Sequence, residues 1–336
     1  MKIGLTYDLR SDYLAMGYSR EETAEFDREE TILAIESALQ GMGHVTDRIG
    51  NAWRLTERLV RGDRWDIVFN ISEGLYGIAR EAQVPAILDL YRIPYTFSDP
   101  VVMGLTLHKG MTKHVVRGHG LPTPDFMVVE SSGDAEKIHF APPYFVKPVA
   151  EGTGKGISSQ SIVHQKEQLA GICGKLINAF HQPVLVEKYL SGREFTTGIV
   201  GTGREARVLG TMEVILLPNA EKGVYSYDNK DQYEDRVEYH LVTAEDPSVR
   251  AAEAAALGAW RALGCRDGGR TDLRCDNAGN PYFLEVNPLA GLHPVHSDLP
   301  ILCGHLCVPY DALIQNILIS ALRRIPVEGN IQDKQA

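Results

Sequence analysis

Several features that would fix the class of a protein are missing from this sequence. No apolar run reaches the roughly 18 to 20 residues that a membrane helix needs. The N-terminal MKIGLTYD has neither the long apolar core nor the small-residue cleavage site of a secretory leader. A cytoplasmic protein with no membrane partner is therefore expected. Basic residues do not dominate: 34 Lys and Arg face 44 Asp and Glu, a formal net charge of −10. That balance argues against a nucleic-acid partner bound through general electrostatics, but not against a local basic pocket for a phosphate. Cysteine is sparse, with Cys173, Cys265, Cys275, Cys303 and Cys307 forming an odd, scattered set that suits reduced thiols. Cys303, His305 and Cys307 are close in sequence, but the paired CxxC spacing of a structural zinc site is absent. There is no Walker A motif, no dinucleotide fingerprint, no internal repeat and no low-complexity segment.

What is present suits a folded chain of two or three domains: 336 residues, of which 44% are apolar, enough for sizeable cores. Lys2 to Asp8 reads as a buried strand. Ile32, Ile35, Leu39 and Met42 give a helical apolar pattern, and Trp65 to Ile71 a second buried strand. Ala82 to Tyr91 reads as a helix, and Pro94-Tyr95-Thr96 as extended. Alternating strands and helices predict a parallel α/β domain over 1–105. One helix is expected over Pro100 to Gly120, carrying Lys109 and Lys113 and ended by Leu121-Pro122-Thr123-Pro124. Strands at Asp125–Val129, Tyr144–Lys147 and Val184–Tyr189, with a helix near Gln165–Phe180, predict an α+β unit over 106–186. Extended runs follow at 195–200, 206–216 and 237–242, then an alanine-rich helix at Pro247–Leu263 and a last helix at Tyr310–Arg323. The stretch 218–236 is too long and too charged for an ordinary turn, which suits either a mobile closing loop or an insertion.

Three segments carry chemistry. Arg270–Cys275 and Pro281–Asn287 read as a hairpin across Asp276-Asn277-Ala278-Gly279-Asn280. Side chains alternate along a strand, so Arg270 and Asp272 share one face of the first strand, and Glu285 and Asn287 one face of the second. Two carboxylates and an amide in an apolar setting are costly unless a cation binds them, and these oxygens suit Mg²⁺ completed by phosphates and water. Second, Lys147 leads into Glu151-Gly152-Thr153-Gly154-Lys155-Gly156, a loop whose N–H groups can cradle phosphate oxygens. A glycine-rich turn of purely structural purpose reads the same way. Third, Glu187 and Glu194 flank a turn where carboxylates can accept hydrogen bonds from an adenine amino group and ribose hydroxyls. A salt-bridged surface turn is the plainer reading.

Lys109, VKPVAEGTGKG, EKYLSGREFT, YSYDNK, GCRDGGRTDLR and YFLEVNPLAGL occur in that order. Together they resemble the D-alanine–D-alanine ligase pattern of the ATP-grasp superfamily. The resemblance runs from about Pro94 to the last helix, and more weakly through the N-terminal part. It implies an ATP-grasp fold, α/β and α+β, with an N-terminal Rossmann-like (pre-ATP-grasp) domain, a central subdomain at 106–186 and a C-terminal one at 187–330. It implies that Lys109 and Lys147 contact the ATP phosphates together with the loop Glu151, Gly152, Thr153 and Gly154. Glu187, Lys188 and Leu190 would line the adenine site and Glu194 would bind ribose. Lys230 would reach the terminal phosphates on loop closure. Asp272, Glu285 and Asn287 would hold two Mg²⁺ ions, for which Mn²⁺ can substitute. Arg270 would stabilise the acyl phosphate and the tetrahedral intermediate, and the Gly291 N–H would help form the oxyanion site. The implied activity is ATP-dependent amide formation between small amino-acid-like molecules through an acyl phosphate, in a homodimer. Other outcomes on the same frame are cyclisation, phosphoryl transfer, or ATP binding without catalysis.

Departures from the family pattern cluster on the substrate side. Thr153 and Gly154 stand where the ligases carry a serine pair, and Asp231 follows Lys230 where an aromatic is usual. Phe69-Asn70-Ile71-Ser72-Glu73-Gly74 replaces LHGxxGEDG, and Pro288-Leu289-Ala290-Gly291-Leu292-His293-Pro294 replaces Thr-Ser-Pro-Gly-Met-Thr. Glu22, Glu25 and Glu29 compete to hold a substrate ammonium. Glu73, Arg80, His293, His296 and Ser297 are further pocket candidates, although His293 and His296 read equally as ordinary loop histidines.

Overall fold

The computed structural model describes residues 1–221, 223 and 233–325. Three sheets are present among them. β1 (Lys2–Tyr7) lies between β2 (Val45–Gly50) and β3 (Ile67–Ile71), and both pairings are parallel. Parallel strands need crossover connections. These contain α1 (Arg10–Ala15) and α2 (Glu29–Gly41), then α3 (Ala52–Val60); α4 (Gln83–Leu90) follows β3. Ile32, Ile35 and Leu39 of α2 pack on Ile3, Leu5 and Phe69 on one face. Leu55, Leu59, Val84 and Leu88 cover the other against Val68. Tyr95 adds a parallel bridge to Val68.

The stretch 100–120 is two helices rather than the single one expected: α5 (Pro100–Leu107) and α6 (Lys109–Gly118). They break at His108, whose ψ is 89°. The local hydrogen bonds explain the break. The His108 imidazole accepts the Met111 N–H at 3.2 Å, and the Thr112 hydroxyl donates to the Leu105 carbonyl at 2.7 Å. Lys109 thereby opens a helix, and its N–H donates to the Val149 carbonyl at 3.0 Å.

The second sheet is antiparallel, in the order β4 (Phe126–Val129), β7 (Val184–Lys188), β5 (Tyr144–Pro148), β6 (Ile162–Val163). Cys173 and Leu169 of α7 (Leu169–Phe180) close its core with Val146, Val184 and Val186. The third sheet is also antiparallel, with β8 (Glu194–Val200), β9 (Arg207–Leu216), β10 (Val237–Val242), β11 (Gly268–Cys275) and β12 (Pro281–Asn287) in the order β10-β9-β8-β11-β12. A short α8 (Tyr233–Arg236) precedes β10, and α9 (Pro247–Leu263) covers the sheet. Asp246 caps α9 by accepting the Ser248 N–H at 2.8 Å, Pro247 opens it, and Gly264 ends it at φ 76°. Ala252, Ala255, Ala256 and Ala259 give it a slim face, so it lies close on the strands beside Trp260.

Two further helices, α10 (Asp298–His305) and α11 (Tyr310–Arg323), complete the described chain. Leu313, Ile314 and Ile317 of α11 share one core with α2 and β1, so the first and last segments are packed together. Cys303 belongs to this core, whereas Cys307 is exposed.

Asp267 is 0% exposed and is the polar tie between these parts. Its carboxylate accepts the Phe97 N–H at 2.7 Å and the Arg324 guanidinium at 2.6 Å, as well as Ser320 and Thr202 hydroxyls. Removing one partner of such a buried set strands the others without compensation. Asp267→Ala is therefore expected to lower unfolding free energy by about 3 kcal/mol or more, read from the urea midpoint.

Candidate active site

The hairpin brings its polar residues together as strand alternation requires. Arg270 pairs directly with Asn287, and Asp272 with Glu285, before the register shifts between Asp272 and Leu273. All four therefore face the same side. The Arg270 guanidinium donates to the Asp272 carboxylate and lies 3.5 Å from Asp298 Oδ2. The Asn287 amide donates to Asp272 at 3.3 Å, and the Thr196 hydroxyl at 3.0 Å. Glu285 Oε2 faces Lys109 at 3.7 Å and Lys147 at 3.8 Å.

Two cavities meet at this face, sharing Lys109, Glu151 and Glu285. The smaller, about 80 Å³, is lined by Lys147, Glu187, Lys188, Leu190, Glu194 and Asp272, together with Gly154. Lys147 Nζ is 3.0 Å from Glu187 Oε1, and Lys113 Nζ is 2.8 Å from Glu187 Oε2. Lys113, to which no sequence motif points, is 0% exposed. Burial alone would neutralise Glu187, but Lys113 and Lys147 hold its carboxyl below the usual range. Burial, with repulsion from Lys147, pushes the Lys113 ammonium down to about 8 against the pull of Glu187. Burial also lowers Lys109, against the attraction of Glu285. For Lys147, Glu187 and Glu285 outweigh burial and raise it.

Among the described residues, no group of three His, Cys, Asp or Glu side chains is arranged to hold a metal. The hairpin instead offers two carboxylates and one amide oxygen. That set cannot complete an octahedron alone, and it suits a Mg²⁺ ion that takes its remaining ligands from phosphate and water. The residues thus fit the cation. The glycine-rich loop fits a phosphate. Lys109 Nζ donates to the Glu151 carbonyl at 2.5 Å, and Gln182 donates to the Glu151 carboxylate at 2.7 Å. Thr153 sits at φ 49°, an unfavourable region for a β-branched residue, and Gly154 at φ 76°. The Thr153 hydroxyl is buried and has no hydrogen-bond partner among the described residues. An orphaned hydroxyl costs free energy until an acceptor arrives, and an anion at the loop would supply one.

The larger cavity, about 250 Å³, lies between this face and the N-terminal sheet. Its wall includes Glu25, Glu73, Arg270, Asn287, Gly291, His293, His296 and Ser297. Of the three competing glutamates only Glu25 lines it. Glu22 bonds to Ser19, and Glu29 pairs with Arg48 at 2.6 Å. Gly291 has no room for a Cβ, because Ser297 Oγ would be 2.7 Å from it. The Ser297 hydroxyl accepts the His293 N–H at 3.0 Å, and His293 Nδ1 accepts the N–H groups of Val295 and His296 at 3.2 Å. Burial and the neighbouring His296 lower the His293 imidazole. Arg80 stands behind the wall, bonded to Glu25. Asp27, Glu81 and Asp298, to which no sequence motif points, also line the cavity. Burial raises Glu73 well above the carboxylate range, and raises Asp27 and Glu81 to about 7 each. Lys230 and most of 218–236 lie outside the described residues.

A family model described as the D-ala D-ala ligase C-terminus matches residues 115–319. An uncharacterised protein of Sinorhizobium fredii, y4sG, is 33% identical over 309 residues, 87% of each chain. A D-alanine–D-alanine ligase of Bordetella avium is 33% identical over 269 residues, 78% of this chain and 81% of its own. Among solved structures, the D-alanine–D-alanine ligase of Bacillus anthracis complexed with ATP superposes with a TM-score of 0.72 at 22% identity, covering 96% of this chain and 98% of that one. The VanG D-Ala:D-Ser ligase of Enterococcus faecalis gives 0.71 at 18% identity, covering 95% and 99%. The shared fold is ATP-grasp, with the parallel α/β sheet preceding it, and the chain belongs to the D-alanine–D-alanine ligase family.

Proposed function

We infer that this protein is an ATP-dependent ligase that joins a carboxylate to an amine through an acyl phosphate, releasing ADP and phosphate. The observation that carries this reading is the position of Arg270, Asp272, Glu285 and Asn287. They lie on one face where the lysine-lined cavity meets the cavity beneath the N-terminal sheet. A phosphoryl group held on one side can there reach a carboxylate held on the other.

In this mechanism Glu187, Lys188 and Leu190 receive adenine, and Glu194 the ribose. Lys109, Lys147 and the loop Glu151 to Gly154 receive the phosphates. Asp272, Glu285 and Asn287 would hold Mg²⁺, which would supply charge neutralisation for the transferring group. A carboxylate oxygen attacks the terminal phosphorus and ADP leaves. Arg270 offsets the charge on the acyl phosphate, and the amine nitrogen then attacks the acyl carbon. The Gly291 N–H faces the developing oxyanion, and phosphate departs. Closure of 218–236 would bring Lys230 to the phosphates and exclude water. Glu25, Glu73, His293 and Ser297 would surround the amino-acid substrates.

The reading divides the chain into 1–105, 106–186 and 187–330. Mg²⁺ as the ion, a homodimer and a cytoplasmic location belong to the same proposal. D-alanine, named for several relatives, is the first substrate to test, and a structural neighbour named for D-serine makes that the second.

A screen of ATP turnover over D- and L-amino-acid pairs, with products identified by mass, tests the reaction. An amide product with ADP and phosphate is expected; a phosphorylated amino acid as the only product would refute it. Glu285→Ala and Arg270→Ala should each lower turnover by about 10²–10³-fold or more with unchanged circular dichroism. The acidic wall makes a separate prediction. Glu81 has a folded-state value of about 7, above its ordinary 4.5. Below pH 4.5 both folded and unfolded states are protonated, so the site costs nothing. As pH rises to 7 the unfolded state ionises first, and the folded state loses stability. Glu81→Gln should therefore raise the melting temperature at pH 8 and leave it unchanged at pH 4.

A further inference from the structure

The glycine-rich loop is held not only by its own sheet but also from the N-terminal domain. Arg80 is 6% exposed and makes two contacts, one across the seam and one to a neighbour in its own domain. Nη1 donates to the Ala150 carbonyl at 2.8 Å, and Nη2 to Glu25 Oε2 at 2.8 Å. Glu25 continues the link: Oε1 accepts the Gly152 N–H at 2.6 Å, and Oε2 the Lys155 ammonium at 3.2 Å. Lys155 returns to the loop through Glu151, at 2.5 Å. Both oxygens of Glu25 are thus engaged before any substrate arrives. Burial would protonate this carboxyl, but Arg80 and Lys155 hold it down at about 2.

Gly152 supplies a second, steric observation. It is not among the glycines with positive φ, so its backbone suits any residue. A Cβ there would nevertheless collide with Glu25 Oε1. The loop backbone is therefore pressed directly onto the carboxylate. Between the anchors at 152 and 155 stands Thr153, in its unfavourable left-handed conformation.

The geometry points to Arg80 and Glu25 as positioning residues that fix the glycine-rich loop from the substrate side, so that the transferring phosphate is covered only while the two domains are tied. This rests on the ligase reading above. Its chemical consequence concerns the acyl phosphate. When the tie is lost, water reaches that species, displaces phosphate from the acyl carbon and returns the carboxylate. ATP is then consumed without an amide being formed.

The test has two arms. The first needs no substrate: hydrogen exchange of the 150–157 segment in wild type, Arg80→Met, Glu25→Ala and Gly152→Ala. Each variant should speed exchange by about tenfold or more, and Glu25→Ala with Gly152→Ala should do no more than either alone. Unchanged exchange, or effects that multiply, would overturn the proposal. The second arm measures phosphate released per amide bond with MgATP and D-alanine. Wild type should give a ratio near one; Arg80→Met should give a severalfold higher ratio, with Arg80→Lys between them. A merely structural role would lower both products together and leave the ratio at one, which would also overturn the proposal. A wild-type protein that makes no amide from D-alanine speaks against that substrate alone, and exchange then decides the loop tie.

Discussion

Lys147 Nζ lies 3.0 Å from Glu187 Oε1, Lys113 Nζ lies 2.8 Å from Glu187 Oε2, and Lys109 and Lys147 both face Glu285 within 4 Å. The rest of the structure is arranged around this buried set. An ammonium removed from water is untenable without a counter-charge and hydrogen-bond partners. The five groups come from α6, β5, β7 and β12, so their pairing fixes how the central sheet meets the C-terminal one. Lys155, Lys188 and Arg274, with the carboxylates of Glu151, Glu194 and Asp272, line the same cavity, so bases and acids are matched around it.

The opposite wall is organised by the reverse constraint. Asp27, Glu73 and Glu81 are half-buried carboxyls of the cavity wall whose ionisation the fold resists. Such groups lower stability at neutral pH and persist where function needs them. The smaller cavity mixes lysines with carboxylates, the larger is lined by more acids than bases, and Arg270, between Asp272 and Asp298, sits at their junction.

Much of this was legible in the sequence, for local reasons. The hairpin could be read because alternation alone sets which of Arg270, Asp272, Glu285 and Asn287 share a face, and the observed register gives that arrangement. The α9 helix carried its own cap, proline and terminal glycine. Other parts were hidden. β2 has only Ile49 buried, so an edge strand looked like a polar stretch. The break between α5 and α6 depends on hydrogen bonds of His108 and Thr112 that apolar periodicity does not encode. Lys113, Glu81 and Asp298 acquire meaning only through partners far away in the chain, such as Glu187, 74 positions from Lys113. That Glu25 lines the cavity while Glu22 and Glu29 do not is likewise invisible in the sequence, because it depends on the loop at Gly152 folding back against it.

In the proposed reaction a carboxylate oxygen attacks phosphorus. The most direct measurement labels the carboxylate of the accepted amino acid with oxygen-18 and follows the label through one round of ligation by mass spectrometry of the products. Acyl-phosphate chemistry transfers one labelled oxygen to the released phosphate. Amide product accompanied by unlabelled phosphate, with the lost carboxylate oxygen recovered in AMP or water instead, would contradict this chemistry.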